Sequence, residues 1–394
     1  MAHRIQNETP VKPHRIAIQL ALLFAITLIA SYVTDARATA QFDSKIQTTG
    51  TIVKKKPAAR KTKASTNTKR KAETPGPLYA SRPEVMAAAD EMAQRLDLDT
   101  QAVRHAIGQS HYMASIARAI APPPVGTVKN WTVYRSRFID PIRIRAGVKF
   151  WQSNRETLER AEAQMGVPAA IIVGIIGVET MYGQQTGTYR VMDALTTLSF
   201  DFPGVHPRAT ERSAFFRSEL ESFLALTQRT GTDPLALRGS YAGAMGLPQF
   251  MPSSWSKYAI DFDADGRVDL FNSAADVIGS VANYFKSFGW KPGMPSHYPV
   301  RLTSEGADRA SLLAPDIVPS FTPAEMLAKG GQLDATALQH VGPLALVELQ
   351  NGDAPALHIA GTENFYVITR YNWSSYYALA VIELGQEVAA AMPK

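Results

Sequence analysis

Residues 168–183 read "PAAIIVGIIGVETMYG", and this stretch constrains the chain more than any other. Proline fits the first turn of a helix and glycine its closing turn, so the spacing predicts a helix from Pro168 to Gly183. Nearly every side chain in it is apolar, and one is a carboxylate. Ile172, Ile175 and Glu179 fall at i, i+3 and i+7, a single stripe on the helix surface. Among isoleucines the ionised form is disfavoured, and the negative end of the helix dipole acts in the same direction. Both effects raise the pKa, as a general acid for an ether oxygen requires. The alternative is a structural glutamate bonded to a nearby amide or arginine. Gly174 and Gly177 lie on an adjoining face, where they let another backbone approach closely.

The chain around this helix has 394 residues, room for two or three domains, and is 45% hydrophobic, enough for ordinary cores. A formal charge of +6 suggests nucleic acid until the charge is located. Residues 44–72 hold ten Lys/Arg and no acid, and residues 1–43 are net +1, which leaves −5 for residues 73–394. The body is mildly acidic, so a nucleic-acid-binding fold is disfavoured. There is no cysteine, which removes disulfides, thiolate zinc sites and a cysteine nucleophile together.

Arg4, Lys12 and Arg15 precede "IAIQLALLFAITLIASYV", residues 16–33, which carries no charge. Its length falls between a signal-peptide core and a full bilayer span, and "ARATA" at 36–40 offers small residues for cleavage. Residues 1–39 therefore read as a cleaved signal or an N-terminal membrane anchor; either exports the body. Residues 40–81, rich in Lys, Thr, Ala and Pro, bury too little to fold and read as a basic disordered linker. Its role is reach, with weak attraction to an anionic surface as the sharper reading.

Amphipathic spacing then predicts a helical domain over 82–163, beginning "RPEVMAAADEMAQRLDL". Residues 164–290 continue helical and hold the glutamate. From 291 to 373 the texture changes to short β-branched or alternating runs, with "NGD" at 351–353 marking a hairpin. The last stretch, 374–394, is helical again and rejoins the helical domain. The fold class is mainly α (α+β), with a small β-rich insert.

"GSYAGAMGLPQFMPSSW", residues 239–255, sets glycines beside Ser240, Gln249 and aromatic rings, a combination suited to lining a sugar groove. With "VPAAIIVGIIGVETMYG", "DALTTLSFDFP", "DVIGSVANYFKSFGW" and "FYVITRYNWSSYYALAV", in chain order, it resembles the lytic murein transglycosylase B family. The matching stretches run from about Phe138 to the C-terminus. The resemblance implies a lysozyme-like helical catalytic core over 164–290 and a peptidoglycan-cleaving enzyme whose sole catalytic acid/base falls on Glu179. It implies non-hydrolytic cleavage of the β-1,4 bond between N-acetylmuramic acid and N-acetylglucosamine. One glutamate first protonates the bridging oxygen and then accepts the sugar's C6 hydroxyl proton, closing a 1,6-anhydro ring. Substrate-binding positions carried over by the matched motifs are Ser240, Gln249, Tyr284, Tyr371 and Asn372. Tyr134 matches in the weaker "YRSRFI". The family's arginine pair after "LSF" is spread here over a longer stretch, leaving Arg208 and Arg212 apart, with Arg212 kept as a substrate contact. Leu247-Pro248 replaces an aromatic-glycine pair of some relatives, so groove shape differs there.

"DFDADGRVDLFNSAAD", 261–276, places Asp261, Asp263 and Asp265 at loop positions 1, 3 and 5, with Gly266 at the sharp sixth position. Hard oxygen ligands at that spacing suit a structural Ca²⁺. Asn272 stands where the loop's usual glutamate would close the cage. The family's version is longer and closed by a later aspartate, which points to Asp276, with Arg267 contributing only its main-chain carbonyl. The alternative is an Asp-Gly turn capping the next helix. No cofactor is needed for the chemistry.

The expected partners are peptidoglycan glycan strands, with proteins of cell-wall synthesis as further candidates, no nucleic acid, and membrane attachment through the N-terminal segment. The expected location is the bacterial periplasm, soluble or anchored to the inner membrane. Rival readings are a hydrolytic muramidase, a non-catalytic wall-binding protein and a calcium-dependent adhesin.

Overall fold

A computed structural model describes residues 74–122, 126–303 and 306–393. The expected targeting segment and most of the basic linker lie outside the described residues. The linker's expected end needs correcting. Tyr79 is buried, its hydroxyl donates to Asp201 at 2.5 Å, and Arg82 grips the same carboxylate, so 79–81 belong to the fold. An aromatic anchor among small polar residues leaves no periodic trace in sequence.

The chain is mainly helical, with two small antiparallel sheets. Its apolar side chains sort into three cores. The first gathers the helices Pro141–Ser153, Arg155–Met165, Ala169–Thr180, Ala274–Ser287 and Ser375–Ala390. The second is built from Pro83–Leu96, Thr100–Gly108 and Ala114–Ala119 packed on Val191–Phe200 and Ala209–Thr230. Residues 82–163 therefore do not form one helical unit: their first three helices complete the second core, and their last three, from Trp131–Arg135 onward, the first. Amphipathic spacing shows that a helix buries a face, but not which partner covers it.

The β-rich insert is a four-stranded sheet in the order β4 (Gly331–Leu333), β3 (His297–Leu302), β6 (Ala354–Gly361), β5 (Ala345–Asn351). The expected hairpin is β5–β6, closed at Asn351–Ala354, with Gly352 in the left-handed region at φ +65°. Along β5, Ala345, Val347 and Leu349 enter the first core while Leu346 faces the third, the two-residue alternation of a sheet covered on both faces. The insert is thereby fastened beside the glutamate helix.

That helix, Ala169–Thr180, lies antiparallel to the C-terminal helix Ser375–Ala390 at unusually close range. A β-carbon on Gly174 would stand 2.2 Å from the Val381 carbonyl oxygen. One on Gly385 would stand 2.1 Å from the Ala170 carbonyl oxygen. The two glycines let each backbone seat against the other, as expected of Gly174. Gly177 does something else: it makes room for the Tyr182 hydroxyl and Leu384.

Candidate active site

Glu179 projects from the last turn of its helix, one residue before Thr180 ends it. Met181, Tyr182 and Gly183 then follow with φ of +51°, +57° and +88°. Two successive side-chain-bearing residues in the left-handed region cost roughly 1–2 kcal/mol each, strain that the surrounding packing has to hold. Part of the hold is visible. The Thr180 hydroxyl donates to the Leu247 carbonyl at 2.8 Å and accepts from the Gly183 amide at 3.1 Å. The glutamate's end of the helix is thus tied directly to the segment that carries Gln249.

The antiparallel helix pair brings Tyr377 across from Glu179, and its hydroxyl donates to Oε1 at 2.5 Å. Burial pushes the Glu179 carboxyl up to about 7, and the Tyr377 bond, which favours the ionised form, only partly opposes it. The helix dipole invoked from sequence is not needed for this. Burial and the charge of Glu179 hold the phenols of Tyr377 and Tyr371 well above their usual value, so both remain donors at neutral pH. Tyr134, on the short helix Trp131–Arg135, is raised by burial and then by the same carboxylate. Among the described residues no second carboxylate perturbs Glu179.

Around this centre the predicted residues are distributed unequally. Tyr371 stacks near-parallel on Tyr377, with centroids 6.5 Å apart, and donates to the Pro248 carbonyl at 2.5 Å. Tyr284 lies 4.9 Å from the Tyr371 ring and donates to the Arg370 carbonyl at 2.6 Å. Both phenols thus present ring faces with their hydroxyls already engaged. Gln249 adopts φ +52° and spends its amide on the Gly246 and Thr186 carbonyls. Ser240 Oγ accepts the Ala242 and Ala244 amides, bracing the turn that follows it. Asn372 is buried with its Oδ1 unpartnered among the described residues, a group suited to receive a donor. Arg212 lies elsewhere: it sits in the second core, beneath the Phe202 and Phe216 rings, with Nε unpartnered.

Over its matched length this arrangement is familiar. Residues 81–386 match the Transglycosylase SLT domain. The chain belongs to the lytic transglycosylases. It is 39% identical over 324 residues to the membrane-bound lytic murein transglycosylase B of Escherichia coli, covering 79% of this chain and 84% of that one. The fold is similar to soluble lytic transglycosylase SltB1 of Pseudomonas aeruginosa, with TM-score 0.70, 43% identity, and coverage of 78% and 99%. It is similar also to the Escherichia coli lytic transglycosylase Slt35 in complex with calcium, with TM-score 0.68, 37% identity, and coverage of 80% and 96%. The lysozyme-like helical architecture and the peptidoglycan-cleaving class of enzyme expected from the motifs both hold for this transglycosylase.

Tyr377 and Thr180 escaped the sequence reading. Thr180 stands beside Glu179 in "VETMYG" and gave a local signal. Tyr377 is one of two adjacent tyrosines in "SSYYALAV", and nothing local separates it from its neighbour, Tyr376, whose hydroxyl goes to the Gln350 carbonyl.

In the 261–276 loop, carboxylate oxygens of Asp261, Asp263 and Asp276 converge within 4.8 Å of one another. Asp265 is not in that set; its carboxylate accepts the Arg267 amide at 2.9 Å. Gly266 takes the expected left-handed turn at φ +89°. Asp276 accepts the Phe262 amide at 2.7 Å and the Asp269 amide at 2.8 Å, one on each oxygen, bracing both ends of the loop. Ser273, not an Asp-Gly turn, caps the following helix through the Asp276 amide. The Leu270 carbonyl accepts from the Leu247 amide at 2.9 Å, joining the loop to the Gln249 segment.

Proposed function

We propose that this transglycosylase cuts the β-1,4 bond between N-acetylmuramic acid and N-acetylglucosamine through Glu179 alone, without water, leaving 1,6-anhydromuramoyl ends. The observation that carries the reading is a desolvated carboxyl whose pKa is pushed up to about 7, bonded by one phenol and perturbed by no second carboxylate among the described residues. Protonated at neutral pH, it delivers its proton to the bridging oxygen. Ionised afterwards, it accepts the C6 hydroxyl proton while the Tyr377 hydroxyl supports its charge. Enzymes that hydrolyse through two carboxyls place them about 5–9.5 Å apart, and among the described residues no second carboxylate perturbs Glu179. Tyr284, Tyr371 and Tyr134 offer ring faces to the sugars, and Asn372 Oδ1 offers an acceptor. Mass spectrometry of products from purified peptidoglycan tests the reading. Anhydro ends, 18 mass units below the hydrolytic product, are expected; reducing ends identify a muramidase instead.

Asp261, Asp263 and Asp276 fit a structural Ca²⁺: each offers a hard carboxylate oxygen, and these oxygens lie within 4.8 Å of one another. Calcium there would fasten the loop, not take part in the reaction. In the same reading the N-terminal segment carries the enzyme to the bacterial envelope, where its murein substrate lies.

A further inference from the structure

Three residues beyond Glu179, the ring of Tyr182 folds back against the helix that carries the acid. Its phenol end lies where three helices meet. A β-carbon on Gly177, in the helix Ala169–Thr180, would stand 2.4 Å from the Tyr182 hydroxyl oxygen. One on Gly147, in the helix Pro141–Ser153, would stand 2.4 Å from the same atom. The same two positions would meet Leu384 and Val388 of the C-terminal helix at 2.8 and 2.6 Å. Phe150 stacks on the Tyr182 ring, with centroids 5.4 Å apart at 28°. The hydroxyl is buried and has no hydrogen-bond partner among the described residues. Shape, not polarity, holds this side chain in its slot.

The slot bears on the acid through the backbone. Tyr182 adopts φ +57°, a conformation that a side-chain-bearing residue keeps only where the surrounding packing holds it. In that conformation its amide donates to the Ile176 carbonyl at 3.2 Å, and the Met181 amide donates to the Gly177 carbonyl at 3.1 Å. Glu179 lies inside the turn that these two bonds close. We infer that Tyr182 is a positioning residue for Glu179, an inference that rests on the proposed role of that acid. The ring, locked between Gly147 and Gly177, holds the left-handed cap that aims the carboxyl. Without it the turn frays, and the carboxyl stays near the substrate at the wrong distance. A misplacement of about 1 Å can cost roughly a hundredfold in rate.

The test removes the ring and keeps the acid, in the full chain. Tyr182→Leu is expected to lower kcat on peptidoglycan about ten- to a hundredfold, with KM within about twofold of the wild type. In the free enzyme the Glu179 carboxyl, followed by ¹³C resonance, should titrate below its wild-type midpoint, because a loosened turn admits water to it. Tyr182→Phe keeps the ring and should retain both kcat and midpoint. Tyr182→Met, whose flexible chain refills part of the slot, keeps the test valid if the leucine variant does not fold. Wild-type kcat or an unmoved midpoint in a folded variant without the ring overturns the inference. A rise in KM with kcat kept overturns it too, since Tyr182 is then a substrate contact. So does a loss in Tyr182→Phe as large as in Tyr182→Leu, which gives the role to the hydroxyl. Glu179→Gln judges the cleavage reading separately. If that variant stays active the acid's assignment fails, while a lowered Glu179 midpoint in Tyr182→Leu still shows the ring holding that carboxyl.

Discussion

Glu179 and Asp276 are both carboxylates drawn out of water, and the fold gives them different partners. Asp276 is 1% exposed and takes a backbone amide on each oxygen, from Phe262 and Asp269. Burial raises its pKa, and the two amides act against that rise. Glu179 receives one phenol and no amide, and burial prevails, carrying it to about 7. Their donors differ: two backbone amides on Asp276, a single phenol on Glu179. A carboxylate stitched to the backbone by two amides is a brace; a carboxylate given a single side-chain donor and raised to about 7 can exchange a proton at neutral pH.

The largest effect that can break this comparison is Glu179→Gln. Activity on peptidoglycan is expected to fall by at least two to three orders of magnitude, the scale of positioned acid catalysis, with the fold intact by circular dichroism. The same variant sharpens the comparison thermodynamically. The folded carboxyl is raised from 4.5 to about 7, so between those values the folded state binds more protons than the unfolded one. Wild-type stability therefore declines as pH rises through that window. Glu179→Gln removes the decline: no gain in melting temperature is expected below pH 4.5, and the full gain above pH 7. Equal gains at pH 4 and pH 8 would refute a raised pKa.

Next in size is Gly174→Ala, which sets a β-carbon against the Val381 carbonyl and forces the two helices apart. A loss of roughly 1–3 kcal/mol is expected by thermal or urea unfolding. Turnover per folded molecule should fall too, because the same helix pair carries Tyr377 to Glu179. Activity unchanged at full folding would show that the helix spacing does not position the acid.

Asp276→Ala tests the brace. It leaves two loop amides without acceptors, at about 1–3 kcal/mol each when buried. It should also abolish the stabilisation by millimolar Ca²⁺ expected of the wild type under the calcium proposal, about 2.7 kcal/mol at a hundredfold excess over Kd. Asp265→Ala should keep most of that stabilisation, since Asp265 stands outside the converging set. Smallest is Tyr377→Phe. Removing the one donor to the carboxylate raises the Glu179 pKa further, so the fall in kcat/KM at high pH should move to higher pH. A shift downward, or none, would remove Tyr377 from the site.

The sequence carried the acid and not its setting. Ile172, Ile175 and Glu179 share a stripe, and local spacing suffices to see it. The partner helix is almost 200 residues distant in sequence, so Tyr377 became visible only when Gly174 and Gly385 brought the backbones together. The acidic loop was legible in Asp261, Asp263 and Gly266, where short-range spacing governs. Asp265 was misplaced because ligand spacing does not report where a side chain turns, and here it turns to the Arg267 amide. The helices of 82–163 were legible as helices, while their division between two cores was not, since an apolar stripe does not name what it meets.

The central claim is that Glu179 is protonated near neutrality, and carboxyl ¹³C resonances report that directly. With ¹³C-labelled glutamate, the signal absent from the Glu179→Gln spectrum belongs to Glu179. Its titration should have a midpoint near pH 7 in the free enzyme. A midpoint near 4.5, the value of an ordinary glutamate, would contradict the account.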